Sequence, residues 1–459
     1  MKDGKDAPEK DAAMKTEGDV NESTFRKEWQ DRCLSRETKE LLEEDEKYFI
    51  RQALSTPCLD VAEHAEGIYL IDHDGRKIMD FHGNSVHQLG YHHPVLLKAM
   101  QEQLEKLSFS PRRYTNTAAV ALAKKLCSYF LPKEYKVLFT TSGAASNEVA
   151  LKIARRATGK YKVISFWDSF HGANLATIAV GGTAHFRSHL GPLLEGVEHM
   201  MPYNSYRCMI GDCETCGMKC LDYMEFVLER EQEIGAVIME PIRCTDVQIP
   251  PREYFLRLRE ICDKYGVLLI FDEIPTAFGR TGTMFSFQNY DIVPDILVLG
   301  KGLGGSLLPF SAVVADAKLD VCQDTSMGHY THEKNPVASA VALAMIQYME
   351  DTDLLLHVEK IHTYMKKRAE TFKSKYRIVG DVRIIGALLA IELVKDRKSK
   401  EKASGEAEKV LYRCLEKGLS FKVSQGNVLT LSPPLMIEET ELKRAMDIVE
   451  EAIREIRIG

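Results

Sequence analysis

Lys301 and Asp272 are the two side chains of this sequence whose surroundings best suit chemistry. Lys301 stands between glycines in "LVLGKGLGG", after an apolar run, so its amine is removed from bulk water. A desolvated lysine loses its proton more readily and becomes a nucleophile for carbonyl carbons. Asp272 ends the apolar run "LLIFD", where a buried carboxylate is expected to hold a positively charged group.

Two further features follow predicted strands. Ser142, Gly143 and Ala144 lie in "TTSGAASNE", where a strand passes into a helix through small residues. Backbone N–H groups at such a helix start bind anions, most naturally a phosphate. Phe170 and His171, in "SFHGAN", offer an aromatic surface for a flat ligand.

Together these features describe a pyridoxal phosphate (PLP) site. Lys301 is predicted to form the Schiff base with the cofactor, and Asp272 to pair with its pyridinium nitrogen. Phe170 is predicted to stack on the ring, next to His171. Lys301 and Asp272 are therefore the predicted catalytic residues.

The elements that position these residues form an α/β pattern. Short apolar runs rich in β-branched residues, such as "YKVISFW" and "IGAVIMEPI", alternate with helical segments. Such runs predict a mostly parallel sheet between helices, whose ligands bind at the carboxyl ends of the strands. We expect a large domain over residues 86–335 and a smaller α+β domain made from residues 26–85 and 336–459.

Composition limits the possible functions. The chain has 459 residues and a net charge of −7, which argues against nucleic-acid binding, and no apolar run suits a membrane span. The polar residues 1–25 predict a disordered tail. An odd number of cysteines, 11, without an export signal indicates reduced thiols and a cytoplasmic protein.

The sequence resembles the class III aminotransferases of the fold-type I PLP superfamily. The resemblance covers nearly the whole chain after residue 40 and is carried by "TTSGAASNEVALKIAR", "SFHGAN", "MEPI", "LLIFDEIPTAFGRTG", "ILVLGKGLGG" and "YTHEKNP". It implies a homodimer with the active site at the interface. It also implies that Thr331 reaches the phosphate of the cofactor in the neighbouring subunit.

Three positions depart from the transaminase pattern of that family. Thr430 stands where the family's arginine grips a keto-acid carboxylate, and Thr245 where a glutamate neutralises that arginine. Pro275 replaces a glutamine that serves the phenolic oxygen of the cofactor and has no N–H to donate. The joint loss of arginine and glutamate indicates that 2-oxoglutarate is not the co-substrate.

The stretches "LSTPCL", "FHGNSVHQLGYHHP", "PRRYTN" and "GHYTHEKNP" resemble an ammonia-lyase branch of the family that acts on a small amino-hydroxy-phosphonate. The predicted substrate contacts are Arg112, Arg113, His82, Arg243 and Thr430. Two alternatives stay open. One is an ω-amine transaminase with an acceptor such as pyruvate, and the other is a catalytically inactive homologue.

Four cysteines cluster in "CMIGDCETCGMKC". Cys208, Cys213, Cys216 and Cys220 have the spacing C-x4-C-x2-C-x3-C, which is compatible with structural zinc or an iron–sulfur cluster. The alternative is four reduced thiols on an insertion loop.

Overall fold

A computed structural model describes residues 23–213 and 215–456. The helices are α1 (Thr24–Cys33), α2 (Arg36–Tyr48), α3 (Pro94–Lys106), α4 (Thr117–Ser128), α5 (Gly143–Thr158), α6 (Leu175–Val180), α7 (Lys219–Arg230), α8 (Arg252–Tyr265), α9 (Pro336–Asp351), α10 (Leu354–Lys375), α11 (Ser404–Glu416) and α12 (Glu439–Glu455). None of these described helices is long and apolar enough to cross a membrane. Most of the predicted tail lies outside the described residues, and its last residues begin α1.

The strands form three sheets. They are β1 (Ala62–Glu66), β2 (Tyr69–Asp72), β3 (Lys77–Asp80), β4 (Tyr135–Thr140), β5 (Lys162–Phe166), β6 (Val197–Met200), β7 (Ile234–Met239), β8 (Leu268–Asp272), β9 (Ile296–Leu299), β10 (Ser311–Asp316), β11 (Val379–Ile385), β12 (Leu388–Asp396), β13 (Glu401–Lys402), β14 (Leu419–Ser420), β15 (Lys422–Ser424) and β16 (Val428–Leu431).

The central sheet has the order β4-β10-β9-β8-β7-β5-β6. The strands from β9 to β6 run parallel, and β10 lies antiparallel between β4 and β9. This confirms the predicted α/β class with a mostly parallel sheet. Strand β6 was not among the predicted strands, because its sequence "VEHM" is half polar and it lies at the sheet edge.

Strand β8 shows why the sheet is buried on both faces. Leu269 and Phe271 belong to the main hydrophobic core, whereas Ile270 packs with Val149 in a second core on the opposite face. Successive side chains of a strand point to opposite faces, so an unbroken apolar run suits this position. The chain can place a polar side chain only where β8 ends, and that residue is Asp272.

The two ends of the chain come together outside the central sheet. The order β1-β2-β3-β14 joins the β2–β3 hairpin, which turns at Asp74-Gly75, to a strand near the C-terminus. The antiparallel sheet β11-β12-β16-β15 completes this region. The domain boundaries given above stay predictions.

Candidate active site

A cavity of about 330 Å³ opens at the carboxyl ends of β7, β8 and β9, where parallel sheets bind ligands. Its lining includes many of the residues predicted from the sequence, namely His82, Gly143, Ala144, Phe170, His171, Asp272, Lys301 and Thr430. Predicted cofactor contacts thus lie around one space, although they come from segments far apart in the chain.

Asp272 is held in place by three donors. Its Oδ2 accepts hydrogen bonds from Asn147 Nδ2 and from His171 Nδ1, both at 2.8 Å. Its Oδ1 accepts the backbone N–H of Ile274 at 3.1 Å. An ionised carboxylate only accepts hydrogen bonds, so Nδ1 is the protonated nitrogen of His171. His171 therefore orients Asp272, and Oδ1 keeps acceptor capacity for a further donor.

Glu240 positions the aromatic residue of the site. Its Oε1 accepts the backbone N–H of Phe170 at 3.1 Å, and its Oε2 accepts that of Cys244 at 3.2 Å. Burial raises the pKa of this carboxyl above its usual value. The ring of Phe170 packs against Phe186 with centroids 4.6 Å apart. Glu240 belongs to the "MEPI" motif, but it was not predicted as a site residue from the sequence.

The first turn of α5 approaches the cavity closely. Ser142 caps the helix, its Oγ accepting the N–H of Ala145 at 3.2 Å. A Cβ on Gly143 would come within 2.5 Å of Ile274 Cδ1, so a larger residue here would require the Ile274 side chain to move. Ser142 borders an adjoining cleft that shares Gly143 and Lys301 with the main cavity.

Lys301 sits on strained backbone. Its φ of 43° lies in the left-handed region, which non-glycine residues rarely adopt, and such strain concentrates at functional sites. A Cβ on the next residue, Gly302, would come within 2.2 Å of Gln88 Nε2. The glycine-rich context thus permits close packing that fixes the lysine at the cavity wall.

These residues fit pyridoxal phosphate. The buried Asp272 has an oxygen left to accept an N–H, as the protonated ring nitrogen requires. The small residues Gly143 and Ala144 at a helix start suit its phosphate, and Phe170 lies at the same cavity. Lys301, on the cavity wall, is the residue placed to attach it.

The three departures from the transaminase pattern all line this cavity. Thr430 Oγ1 donates a hydrogen bond to the backbone carbonyl oxygen of Thr245 at 2.8 Å, so the two threonines are in direct contact. Pro275 lies on the cavity wall. The two threonines are therefore neighbours, as expected if they stand in place of an arginine and a glutamate that interact with each other.

The predicted substrate contacts divide into two groups. His82 lines the cavity, and burial, reinforced by the positive charge of Lys422, lowers its pKa to about 4. Arg243 instead donates two hydrogen bonds to Asp246, at 2.6 and 2.7 Å, and borders a second cavity. A partner three residues away satisfies this guanidinium.

Arg112, Arg113 and Thr331 are exposed on the chain and do not line the cavity. The guanidinium of Arg112 contacts the ring of His329. The predicted contact of Thr331 with a neighbouring subunit's cofactor stays a prediction.

Sequence reasoning missed the polar residues that the C-terminal sheet brings to the cavity. They are Lys422, Ser424 and Ser432, together with Asn147 behind Asp272. The signal for the first three was present as alternation, in "KVS" and "TLS", which puts polar side chains on one strand face.

The zinc prediction is not supported. Cys208, Cys213, Cys216 and Cys220 are free thiols around a separate cavity of about 310 Å³. Within residues 23–213 and 215–456, no group of three or more His, Cys, Asp or Glu is arranged to hold a metal ion. Burial raises the pKa of Cys213 to about 12, and its Sγ donates to the Asn204 carbonyl oxygen at 3.2 Å. The alternative of four reduced thiols on an insertion loop fits this arrangement.

Comparison with known proteins identifies the family of this chain. Residues 51–453 match the model of the family "Aminotransferase class-III". The chain is 46% identical to the (R)-1-hydroxy-2-aminoethylphosphonate ammonia-lyase of Vibrio splendidus strain 12B01, over 96% of either chain. It is 35% identical to a leucine/methionine racemase of Thermococcus litoralis, over 92% of this chain and 96% of the racemase.

Solved structures show the same architecture. A Bacillus anthracis aminotransferase superposes with a TM-score of 0.85 at 31% identity, covering 92% of this chain and 99% of its own. An ω-transaminase of Pseudomonas jessenii gives a TM-score of 0.85 at 28% identity, covering 90% and 98%. The family match, the relatives and the fold of this chain together establish that it belongs to the class III aminotransferases and is a PLP-dependent enzyme.

Proposed function

We propose that the enzyme is an ammonia-lyase that converts (R)-1-hydroxy-2-aminoethylphosphonate to phosphonoacetaldehyde and ammonia. The full-length similarity to the Vibrio splendidus lyase supports this reaction. The observation that carries the proposal is the contact of Thr430 with Thr245, where a transaminase of the 2-oxoglutarate type needs an arginine and a glutamate. A lyase has no keto acid to bind and does not need that clamp.

The reaction releases the amine of the substrate as ammonia. The elements of water leave in the elimination step, and a water molecule is consumed when the resulting enamine is hydrolysed. When bound, the cofactor supplies an electron sink for the carbon that carries the amine. Asp272, oriented by His171 and Asn147, keeps the ring nitrogen protonated. Lys301 Nζ removes a proton from the aminated carbon, and hydroxide leaves from the adjacent carbon that bears phosphorus. Water then hydrolyses the enamine to the aldehyde and ammonia.

The alternative is an ω-amine transaminase with an acceptor other than 2-oxoglutarate. It is favoured by the structural similarity to the ω-transaminase of Pseudomonas jessenii. Both reactions need Lys301, Asp272 and Phe170, so these residues do not separate them. The difference lies in the fate of the amine, which a transaminase leaves on the cofactor.

The proposed enzyme is a cytoplasmic homodimer that acts on a small-molecule amine. Free thiols at all 11 cysteines suit a reducing compartment. The exposure of Thr331 and Arg112 leaves both available to a second copy of the chain. In the proposed dimer, Thr331 would help to hold the cofactor phosphate of the other subunit.

One assay separates the two reactions. Purified PLP-loaded enzyme is incubated with (R)-1-hydroxy-2-aminoethylphosphonate without any keto acid, and ammonia is measured. The proposal predicts many turnovers per active site. A single turnover that stops with the amine on the cofactor, and resumes when pyruvate is added, would establish the transaminase instead.

A further inference from the structure

Two strands of the C-terminal sheet present an alternating polar face to the active-site cavity. The cavity-lining residues of this face are Lys422, Ser424, Thr430 and Ser432. The residues that alternate with them along the chain are buried in the core, namely Val423, Leu429 and Leu431. Lys422 pairs directly with Thr430 across the two strands, so both side chains project to the same side.

The parallel pairing of β3 with β14 brings Lys422 to His82. Asp80 pairs with Ser420, and the N–H of Phe81, the residue after β3, donates to the Ser420 carbonyl oxygen at 2.8 Å. Two residues beyond this pair, the two segments reach the cavity side by side, one at His82 and the other at Lys422. Burial is the main cause of the lowered pKa of His82, and the positive charge of Lys422 lowers this pKa further because it disfavours a second positive charge nearby. An ammonium and a neutral imidazole therefore lie at the same part of the wall.

Two hydroxyls at this cavity have no hydrogen-bond partner among the described residues. Ser424 is 1% exposed, and its Oγ is buried without a partner. Thr245 Oγ1 is likewise buried without a partner. A buried hydroxyl without a partner costs free energy, so both groups are placed to donate to a ligand.

We propose that Lys422, together with Ser424, Thr245 and His82, forms the anion subsite that takes the phosphonate group of the substrate. The inference rests on the proposed function and names its specificity-determining cation. A phosphonate dianion presents three acceptor oxygens in a tetrahedral arrangement. The ammonium of lysine is a compact charge with three donors, which suits a tetrahedral anion, and the hydroxyls supply further donors.

The test measures binding without turnover. The probe is 2-hydroxyethylphosphonate, which carries the phosphonate and a hydroxyl but no amine. It is titrated calorimetrically into PLP-loaded enzyme, in which the phosphate of the cofactor already occupies its own site. Lys422→Met is expected to weaken binding about 10- to 100-fold, which corresponds to the loss of a charge-assisted hydrogen bond. Lys422→Arg, which keeps the charge, is expected to retain part of the affinity.

Lys395→Met is the matched control, because Lys395 lies on β12 of the same sheet and pairs with Glu401 at the surface. It should bind the probe like the wild type. Equal affinity of Lys422→Met and wild type, or an equal loss in Lys395→Met, would overturn the subsite. If Lys422→Met does not fold, Lys422→Gln and Ser424→Ala carry the same comparison.

The failure of the subsite and of the lyase proposal are distinguishable. Ammonia release without a keto acid, combined with unchanged probe binding in Lys422→Met, overturns the subsite and leaves the lyase reaction standing. The absence of sustained ammonia release, combined with lost probe binding in Lys422→Met, overturns the lyase reaction and supports the anion subsite.

Discussion

Thr430 donates its hydroxyl proton to the backbone carbonyl oxygen of Thr245 at 2.8 Å, and both residues line the active-site cavity. The bond links β16 of the C-terminal sheet to the loop after β7 of the central sheet. The two sheets therefore meet at the cavity through this pair of threonines.

We expect Thr430→Val to lower the free energy of unfolding by about 1 kcal/mol, the usual net value of one hydrogen bond. Valine has the shape of threonine but cannot donate to Thr245. The measurement is urea denaturation of the PLP-loaded enzyme. Thr276→Val is the control, because the buried Thr276 Oγ1 has no partner among the described residues. Equal losses in both variants would contradict the role of the bond.

His171→Phe should lower the rate of ammonia release about 10- to 100-fold. The variant removes the hydrogen bond from His171 Nδ1 to Asp272, a charge-assisted bond of about 1.5–3 kcal/mol. The rate falls because Asp272 loses this support while the proton is removed from the substrate. The visible absorbance of the enzyme checks that the cofactor is retained. His73→Phe, at an exposed histidine paired with Glu63, should leave the rate unchanged. A slow variant that has lost its cofactor would point to assembly rather than to the orientation of Asp272.

Gly143→Ala should reduce cofactor content and thermal stability, because its Cβ would come within 2.5 Å of Ile274 Cδ1. Adding Ile274→Val removes that carbon atom, so the double variant should recover most of both quantities. Gly405→Ala, on the first turn of α11 with nothing within 4 Å of the added carbon, is the control. No recovery in the double variant would mean that the new methyl group meets another atom.

Glu273 should make stability fall as pH rises. Burial raises the pKa of its carboxyl to about 8, from an ordinary value of 4.5. Between these values the folded protein holds a proton that the unfolded chain has lost, so the stabilisation present at low pH declines towards pH 8. The slope from this one group is at most about 1.4 kcal/mol per pH unit.

The check is urea denaturation at several pH values between about 4.5 and 8 for wild type and Glu273→Gln. The variant should lose this part of the pH dependence. Glu260→Gln, at an exposed glutamate of α8, should keep it. A wild-type slope that persists in Glu273→Gln would assign the dependence to another group.

Site residues that directly follow a buried strand could be predicted from the sequence. Asp272 and Lys301 follow unbroken apolar runs, and the parallel sheet then brings their side chains to one edge. Arg243 shows the limit of this reasoning. It also follows a buried strand, but the carboxylate of Asp246 lies three residues away and takes the guanidinium.

Lys422 could not be placed from the sequence for a different reason. Its position depends on the pairing of β14 with β3, between segments more than 300 residues apart, and no local pattern specifies such a partner. Asn147 of α5 presents the same difficulty, because its role as a hydrogen-bond donor to Asp272 depends on a residue far away in the sequence.

The β3–β14 pairing also sets the order in which the enzyme becomes competent during synthesis. Lys301 and all strands of the central sheet are synthesised before β14. The wall that holds His82 and Lys422 closes only after the C-terminal strands emerge and add to β3. A chain that ends before β14 lacks Lys422, and should therefore not form the proposed phosphonate subsite.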